Sequence, residues 1–207
     1  MNNQVVKYII FDLGGVLIDW NPEYVYLEAF KGDRIKMQLF FDEICTMDWN
    51  ENQDAGYSLK NATEDRVKLF PQHEELIRMY YGRWEEMLGD SIQGTVDVLK
   101  IILENPKYRV FALTNWSAET FPIALKKFDF LHWFEGIIVS GTEKTRKPFE
   151  EIYQITLDRF QIKAENSLFI DDNSRNIKGA QNIGIQTVHF KNPNQLKKDL
   201  QEKGIIS

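Results

Sequence analysis

The stretch Tyr8-Ile9-Ile10-Phe11-Asp12-Leu13-Gly14-Gly15-Val16-Leu17-Ile18-Asp19 is an apolar run that stops on a carboxylate and two glycines. A run of this kind, without polar alternation, suits a strand buried on both faces, as in a parallel sheet. An ionised carboxylate at the tip of such a strand is costly to bury unless a cation or hydrogen-bond donors meet it. The glycines permit a sharp turn and a close approach of the backbone to a ligand. The partner of Asp12 has to come from elsewhere in the chain.

Beyond Tyr108 the same type of segment recurs. Val110-Phe111-Ala112-Leu113 is a short apolar strand running into Thr114-Asn115, and Gly136-Ile137-Ile138-Val139-Ser140 is another, leading through Thr142 to Lys147-Pro148. Leu168-Phe169-Ile170 ends on Asp171-Asp172-Asn173, and Gln186 to Phe190 gives a last strand. Helices are expected near Ala118 to Phe128, from Pro148 to about Phe160, from after Asn173 to about Ile183, and over Asn194 to Lys203. Pro148 suits a first helical position because its missing N–H has no intrahelical partner to lose there. Short apolar strands separated by helices indicate an α/β fold, a Rossmann-like parallel sheet covered on both faces.

Between the first and second strands the periodicity is helical. Leu76, Ile77, Tyr80, Tyr81, Trp84, Met87 and Leu88 share a face, as do Ile35, Leu39 and Phe40, and later Val96, Leu99, Ile102 and Leu103. Breaks are expected at Gly32-Asp33, at Asn50 to Gly56 and at Pro71. This zone is too long for an ordinary crossover. It reads as an inserted α-helical cap over the carboxyl ends of the strands, where open α/β sheets bind ligands. The expected division is a core of residues 1–19 and 91–207 and a cap of residues 20–90.

Composition narrows the function. With 207 residues and 43% hydrophobic content the chain can bury a sizeable core. A net charge of −6 argues against a nucleic-acid polyanion as partner. One cysteine, Cys45, excludes an internal disulfide framework and suits a reducing compartment. Met1-Asn2-Asn3-Gln4 lacks a signal-peptide pattern and no apolar run reaches membrane-spanning length, so a cytoplasmic protein without a membrane partner is expected. A monomer or weak homodimer is the expected state.

Four strand ends therefore carry unusual polar residues: Asp12, Thr114-Asn115, Lys147 and Asp171-Asp172-Asn173. In a parallel sheet all arrive at one edge. Three acids in one pocket repel strongly, and a hard divalent cation resolves this; Mg²⁺ prefers such oxygen ligands and keeps waters free for a phosphate. Lys147 and the Thr114 hydroxyl then hold the remaining phosphate oxygens. Each element alone is equally a turn former, a helix cap or a solvated lysine. Four independent turn accidents would not be chemically complementary.

Asp12-Leu13-Gly14-Gly15-Val16, Leu113-Thr114-Asn115, Arg146-Lys147-Pro148 and Phe169-Ile170-Asp171-Asp172-Asn173 resemble, in order, the four motifs of the haloacid dehalogenase superfamily, across nearly the whole chain. The helical insertion resembles that family's subfamily I cap. The branches most similar are the glucose-1-phosphate phosphatases and the phosphatase domain of soluble epoxide hydrolases. The resemblance implies a Mg²⁺-dependent phosphatase of a small phosphorylated metabolite, such as a sugar phosphate. Asp12 would attack phosphorus in line to give an aspartyl-phosphate that water hydrolyses. The metal would be held by Asp12, the Gly14 carbonyl and Asp172; Thr114, Asn115 and Lys147 would bind the phosphate; Asp171 and Asn176 would orient Lys147, the metal's waters or the loop.

One position departs from the pattern. Most phosphatases of the family carry a second aspartate two residues after the nucleophile as general acid and base, and here that position is Gly14. Losing such a group typically costs about 10²–10⁴-fold. The glucose-1-phosphate phosphatase group resembles this chain in carrying glycine there. Asp19 and the cap acid Asp54 are candidate substitutes, although Asp19 serves equally to cap the helix after Asn21-Pro22, and Asp54-Ala55-Gly56 reads as a turn. Two alternatives stand beside the phosphatase. A haloacid dehalogenase needs no metal and resembles Ser-Ser-Asn where this chain has Asp171-Asp172-Asn173; a phosphometabolite-binding protein with weak catalysis would follow from Gly14.

Overall fold

The computed structural model describes residues 5–207, so the leader-free reading of Met1 to Gln4 lies outside the described residues. In chain order the elements are β1 (Tyr8–Phe11), β2 (Ile18–Trp20), α1 (Glu23–Ala29), α2 (Arg34–Glu43), α3 (Met47–Asp54), α4 (Leu59–Leu69) and α5 (Glu74–Gly82). They continue with β3 (Leu88–Ser91), α6 (Gln93–Leu103), β4 (Arg109–Thr114), α7 (Phe121–Lys127), β5 (Gly136–Val139) and α8 (Ser140–Glu143). The last are α9 (Glu150–Phe160), β6 (Ser167–Asp171), α10 (Ser174–Asn182), β7 (Gln186–His189) and α11 (Pro193–Glu202).

Five strands form one sheet in the order β5-β4-β1-β6-β7, with every pairing parallel. The run ending at Asp12 is thus the central strand, paired in register with β4 (Phe11 beside Ala112) and β6 (Phe11 beside Ile170). Successive residues face opposite layers, as pleating requires. Ile9 and Phe11, with Val110, Ala112, Leu168 and Ile170, pack in a core reaching α6, α11 and the helices after β2. Ile10, Phe111, Leu113 and Phe169 pack under α9 and α10, against Ile152, Tyr153, Leu157 and Ala180. Burial on both faces is why these strands are uniformly apolar.

The helices α1 to α5 stand between two short strands that pair antiparallel, β2 with β3, so the chain leaves for the helical layer and returns from it side by side. That pairing corrects the helical expectation at Leu88: α5 ends at Gly82, a short 3₁₀ turn covers Trp84–Met87, and Leu88 opens a strand opposite Trp20. Pairing across such a sequence separation overrides a local helical pattern. Two further expectations shift. The break expected over Asn50 to Gly56 is confined to the turn at Ala55-Gly56; Met47–Asp54 is a helix whose N-cap Thr46 accepts the Trp49 N–H at 3.1 Å. Of the expected face of Ile35, Leu39 and Phe40, Phe40 is buried, while α2 turns Met37 inward beside it and leaves Ile35 and Leu39 exposed. The helix expected from Pro148 starts at Glu150. No helix among the described residues is long and apolar enough to cross a membrane.

Candidate active site

Because β1, β4 and β6 run parallel, their carboxyl ends deliver Asp12, Thr114 and Asp171 to one edge. Lys147 reaches the same place from the loop between α8 and α9, and it is fully buried. Its Nζ lies 2.8 Å from Asp12 Oδ1 and 2.7 Å from Asp171 Oδ2, and donates to the Leu113 carbonyl at 3.1 Å. All three ammonium protons are thereby directed. Burial opposes the charge on Lys147, but Asp12 and Asp171 hold its pKa above the ordinary lysine range.

The acids are placed asymmetrically. Asp12 Oδ1 also accepts the Leu13 N–H at 2.8 Å. Asp171 is fully buried and accepts from the Asn173 N–H at 2.7 Å and from Asn176 Nδ2 at 3.1 Å to each oxygen. Asp172 is the accessible one of the three, its backbone carbonyl 2.9 Å from His189 Nε2. Burial pushes the Asp12 carboxyl well above the usual carboxylate range, against the pull of Lys147, with Asp171 and Asp172 adding to the rise. Burial and then Asp171 raise Asp172 in the same direction.

One oxygen from each of Asp12, Asp171 and Asp172 lies within 4.8 Å of the others. Three carboxylates at that spacing, two with elevated pKa values and only one ammonium between them, suit a hard divalent cation, which favours the ionised forms. Gly15 shapes the same cradle. Its φ is +73°, and a Cβ there would stand 2.5 Å from Asp172 Oδ2, so only glycine lets the turn close under that carboxylate.

The Asn115 side chain braces the loop that carries Lys147: Oδ1 accepts the Lys147 N–H at 2.9 Å and Nδ2 donates to the Lys147 carbonyl at 3.0 Å. Both polar groups of the side chain are thereby engaged. The Thr114 hydroxyl is buried with no hydrogen-bond partner among the described residues.

Above these groups is a cavity of about 260 Å³. Asp12, Gly14, Asn115, Asp172 and Asn176 form its floor; Met47, Asn50, Glu51, Asp54, Tyr81 and Trp84, all from the segment between β2 and β3, close it from above. Trp20 and Trp116 also line it, each with an indole N–H buried and without a hydrogen-bond partner among the described residues. Glu51 ties the two sides together, pairing with Arg146 at 2.9 Å and with Arg175. Asp19 is not on the cavity wall: it accepts the Tyr24 hydroxyl beside β2, and it is Asn21 that accepts the Glu23 N–H at 2.9 Å. Asp54, by contrast, is brought to the site.

A profile of the haloacid dehalogenase-like hydrolases matches residues 9–190. The chain belongs to that family. Among curated proteins it is similar to a drimenol cyclase of Aspergillus calidoustus, 29% identical over 95% of this chain but only 36% of that protein, so it spans about a third of that relative's length. It is also similar to a sesquiterpene phosphatase of Aspergillus oryzae, 24% identical over 89% of each. Among solved structures, a haloacid dehalogenase-family enzyme of Bacteroides thetaiotaomicron in complex with magnesium and inorganic phosphate shares 25% identity with a TM-score of 0.67, over 90% of this chain and 95% of that one. This haloacid dehalogenase-like hydrolase thus brings all four expected strand-end groups together. Its sequence did not expose Glu51, Arg175 and Ser117 as parts of the site; Arg175, two residues beyond Asn173, was the one with a positional clue.

Proposed function

We propose that this chain is a Mg²⁺-dependent phosphatase of a small phosphorylated metabolite, with Asp12 as the nucleophile. The observation that carries the reading is the bridge of Lys147 Nζ between Asp12 and Asp171, with Asp172 within cation-sharing distance. An ammonium fixed against a carboxylate at the end of the central strand neutralises both that nucleophile and an incoming dianion. Sequence residues 20–90 act in this reading as the cap that sets access to residues 1–19 and 91–207.

The metal's oxygen ligands would be Asp12, the Gly14 carbonyl and Asp172, and when bound it supplies charge neutralisation for the transferring phosphoryl group. An Asp12 carboxylate oxygen attacks phosphorus in line as the ester oxygen departs, leaving an acyl phosphate on Asp12; water then displaces the carboxylate and releases inorganic phosphate. The Thr114 hydroxyl, with the Asn115 N–H, holds the equatorial oxygens, and Lys147 offsets their charge from its place between Asp12 and Asp171. Asp171 and Asn176 keep Lys147 and the Asn173 loop in place.

A sugar phosphate suits the cavity wall, which Trp20, Trp84 and Trp116 line together with Asn50 and Thr120. An isoprenoid phosphate is the second reading, favoured by the same aromatic surface and by the sesquiterpene phosphatase relative. Glu51 pairs with both Arg146 and Arg175 and offsets one of their two positive charges, which weakens their pull on a leaving group with a second anion.

Hydrolysis of an aryl phosphate with and without Mg²⁺, beside Asp12→Asn, tests the reading. Expected are metal-dependent turnover, a phosphorylated peptide containing Asp12 after acid quench, and loss of both in the variant. An Asp12→Asn protein as active as the parent overturns the nucleophile assignment. Sugar and isoprenoid monophosphates compared at equal concentration separate the two substrate classes by kcat/KM.

A further inference from the structure

Gly14 cannot move a proton, yet ester cleavage and hydrolysis of an aspartyl-phosphate both call for a group that can. The space for one is present: beyond its own chain neighbours, no atom of the described residues lies within 4 Å of where a Cβ at Gly14 would stand, and Gly14 lines the cavity. Among the described residues, the carboxyls on the cavity wall other than the proposed metal ligands are Glu51 and Asp54. Glu51 is taken up by two guanidinium groups, pairing with Arg146 at 2.9 Å and with Arg175. That leaves Asp54.

Resting on the phosphatase reading, we propose that Asp54, at the C-terminal end of α3, is the general acid and base of this enzyme, supplied from above the substrate rather than from the nucleophile's own loop. Its position is fixed by the core. The Asp54 backbone carbonyl accepts the Ser140 hydroxyl at 2.5 Å, and that hydroxyl also accepts the Trp116 N–H at 2.9 Å. The following turn is pressed onto the same loops, since a Cβ at Gly56 would meet the Gly141 carbonyl at 2.9 Å. The carboxyl receives Asn50 Nδ2 at 3.3 Å and faces the Ser117 N–H. Burial, with Glu51 adding to it, pushes this carboxyl up to about 7, against Arg146 and Lys147. A group titrating there is available in both protonation states near neutrality.

The proton balance closes over the cycle. As the P–O(ester) bond breaks, the protonated Asp54 carboxyl gives its proton to the ester oxygen, which leaves as the alcohol. The Asp54 carboxylate then takes a proton from the water whose oxygen attacks the acyl phosphate on Asp12. The P–O(Asp12) bond breaks, inorganic phosphate departs, and Asp54 is again protonated.

The test is Asp54→Asn assayed with an aryl and an alkyl phosphate, followed by Gly14→Asp in the same background. An aryl oxide needs no acid to leave, so the variant is expected to release a burst of one aryl oxide per site. It then turns over about 10²–10⁴-fold more slowly, with the phosphoenzyme accumulating in intact mass spectra. With the alkyl phosphate the burst disappears, because the first step itself needs the acid. Gly14→Asp, Asp54→Asn is expected to regain at least about tenfold in steady-state rate, by placing a carboxyl in the open space beside Asp12. Steady-state rates within about threefold of the parent for both esters overturn the proposal. So does a loss equal for both esters, without phosphoenzyme and without rescue, which marks Asp54 as a docking residue. Failure of the phosphatase reading looks different: no phosphoenzyme forms in any variant, including the parent.

Discussion

Replacing Lys147 by methionine removes a charge while nearly keeping the volume of the side chain. Nζ makes two ion pairs and one carbonyl contact, at 2.8, 2.7 and 3.1 Å, in a site where Lys147 is 1% exposed, Asp12 7% and Asp171 0%. Breaking a buried pair from one side leaves its partners uncompensated, at a cost of about 3–5 kcal/mol. In a chain of this size each kcal/mol moves Tm by about 2–4 °C, so metal-free Lys147→Met is expected to melt roughly 6–20 °C lower. The cause is the stranded carboxylates, so Asp12→Asn introduced into Lys147→Met recovers at least about 1 kcal/mol, a coupling that a double-mutant cycle reads directly. Saturating Mg²⁺ raises Tm more in Lys147→Met than in the parent, because the cation then answers the whole negative charge. Thermal denaturation of the four proteins, with chelator and with Mg²⁺, measures all three quantities. A loss under about 1 kcal/mol, or strictly additive Asp12 and Lys147 effects, refutes the bridging role.

Gly15→Ala brings a Cβ to 2.5 Å from Asp172 Oδ2 in a backbone with φ +73°, so a destabilisation of about 1–3 kcal/mol and weaker Mg²⁺ binding by calorimetry are expected. Glu51→Gln leaves Arg146 and Arg175 without their carboxylate; about 1–3 kcal/mol is lost by denaturant unfolding, and KM falls for phosphate esters that carry a second anion. Asp54 gives a pH signature. Its folded-state pKa is raised to about 7, so the folded protein binds the extra proton and this contribution to stability falls as pH rises from about 4 through 7. The groups facing it are Glu51, Arg146, Lys147, Tyr80, Tyr81 and the Ser117 N–H. Three units correspond to at most about 4 kcal/mol and, at a half-buried carboxyl, to roughly half of that. Asp54→Asn is therefore expected to match the parent near pH 4 and to exceed it in stability at pH 8, by thermal melts.

The core and the floor of the site were legible for one reason: strand-end position is local information. Asp12, Thr114, Asp171 and Asp172 each follow an apolar run, and a parallel sheet gathers such ends without further instruction. Lys147 needed only the proximity of that edge. The roof was not legible in the same way. Met47–Asp54, whose residues read Met-Asp-Trp-Asn-Glu-Asn-Gln-Asp, carries no apolar stripe, because Trp49 alone packs it on Tyr80 and Tyr81 while the Tyr81 and Ser140 hydroxyls and two arginines take its polar groups. Its asparagine and aspartate content pointed to a loop, and the Thr46 cap decided otherwise. Asp54 could be named as a candidate but not positioned, since its height above Asp12 depends on long-range docking. Ile35 and Leu39 failed for the opposite reason: with Phe40 they suggested one buried face, but α2 buries Phe40 beside Met37 and leaves the other two exposed.

The antiparallel pair of β2 and β3 has an evolutionary consequence. Trp20 lies opposite Leu88, and the Asn21 N–H donates to the Met87 carbonyl at 2.9 Å, so departure and return occupy adjacent ladder positions. Everything from Asn21 to Met87 hangs from that one doorway, and a tight hairpin there would close the chain without disturbing any of the five parallel strands. Such an arrangement lets the enclosure over the phosphoryl site be lengthened or traded by recombination while the strand-end groups beneath are inherited intact, and the proton-transfer group on Met47–Asp54 travels with the enclosure.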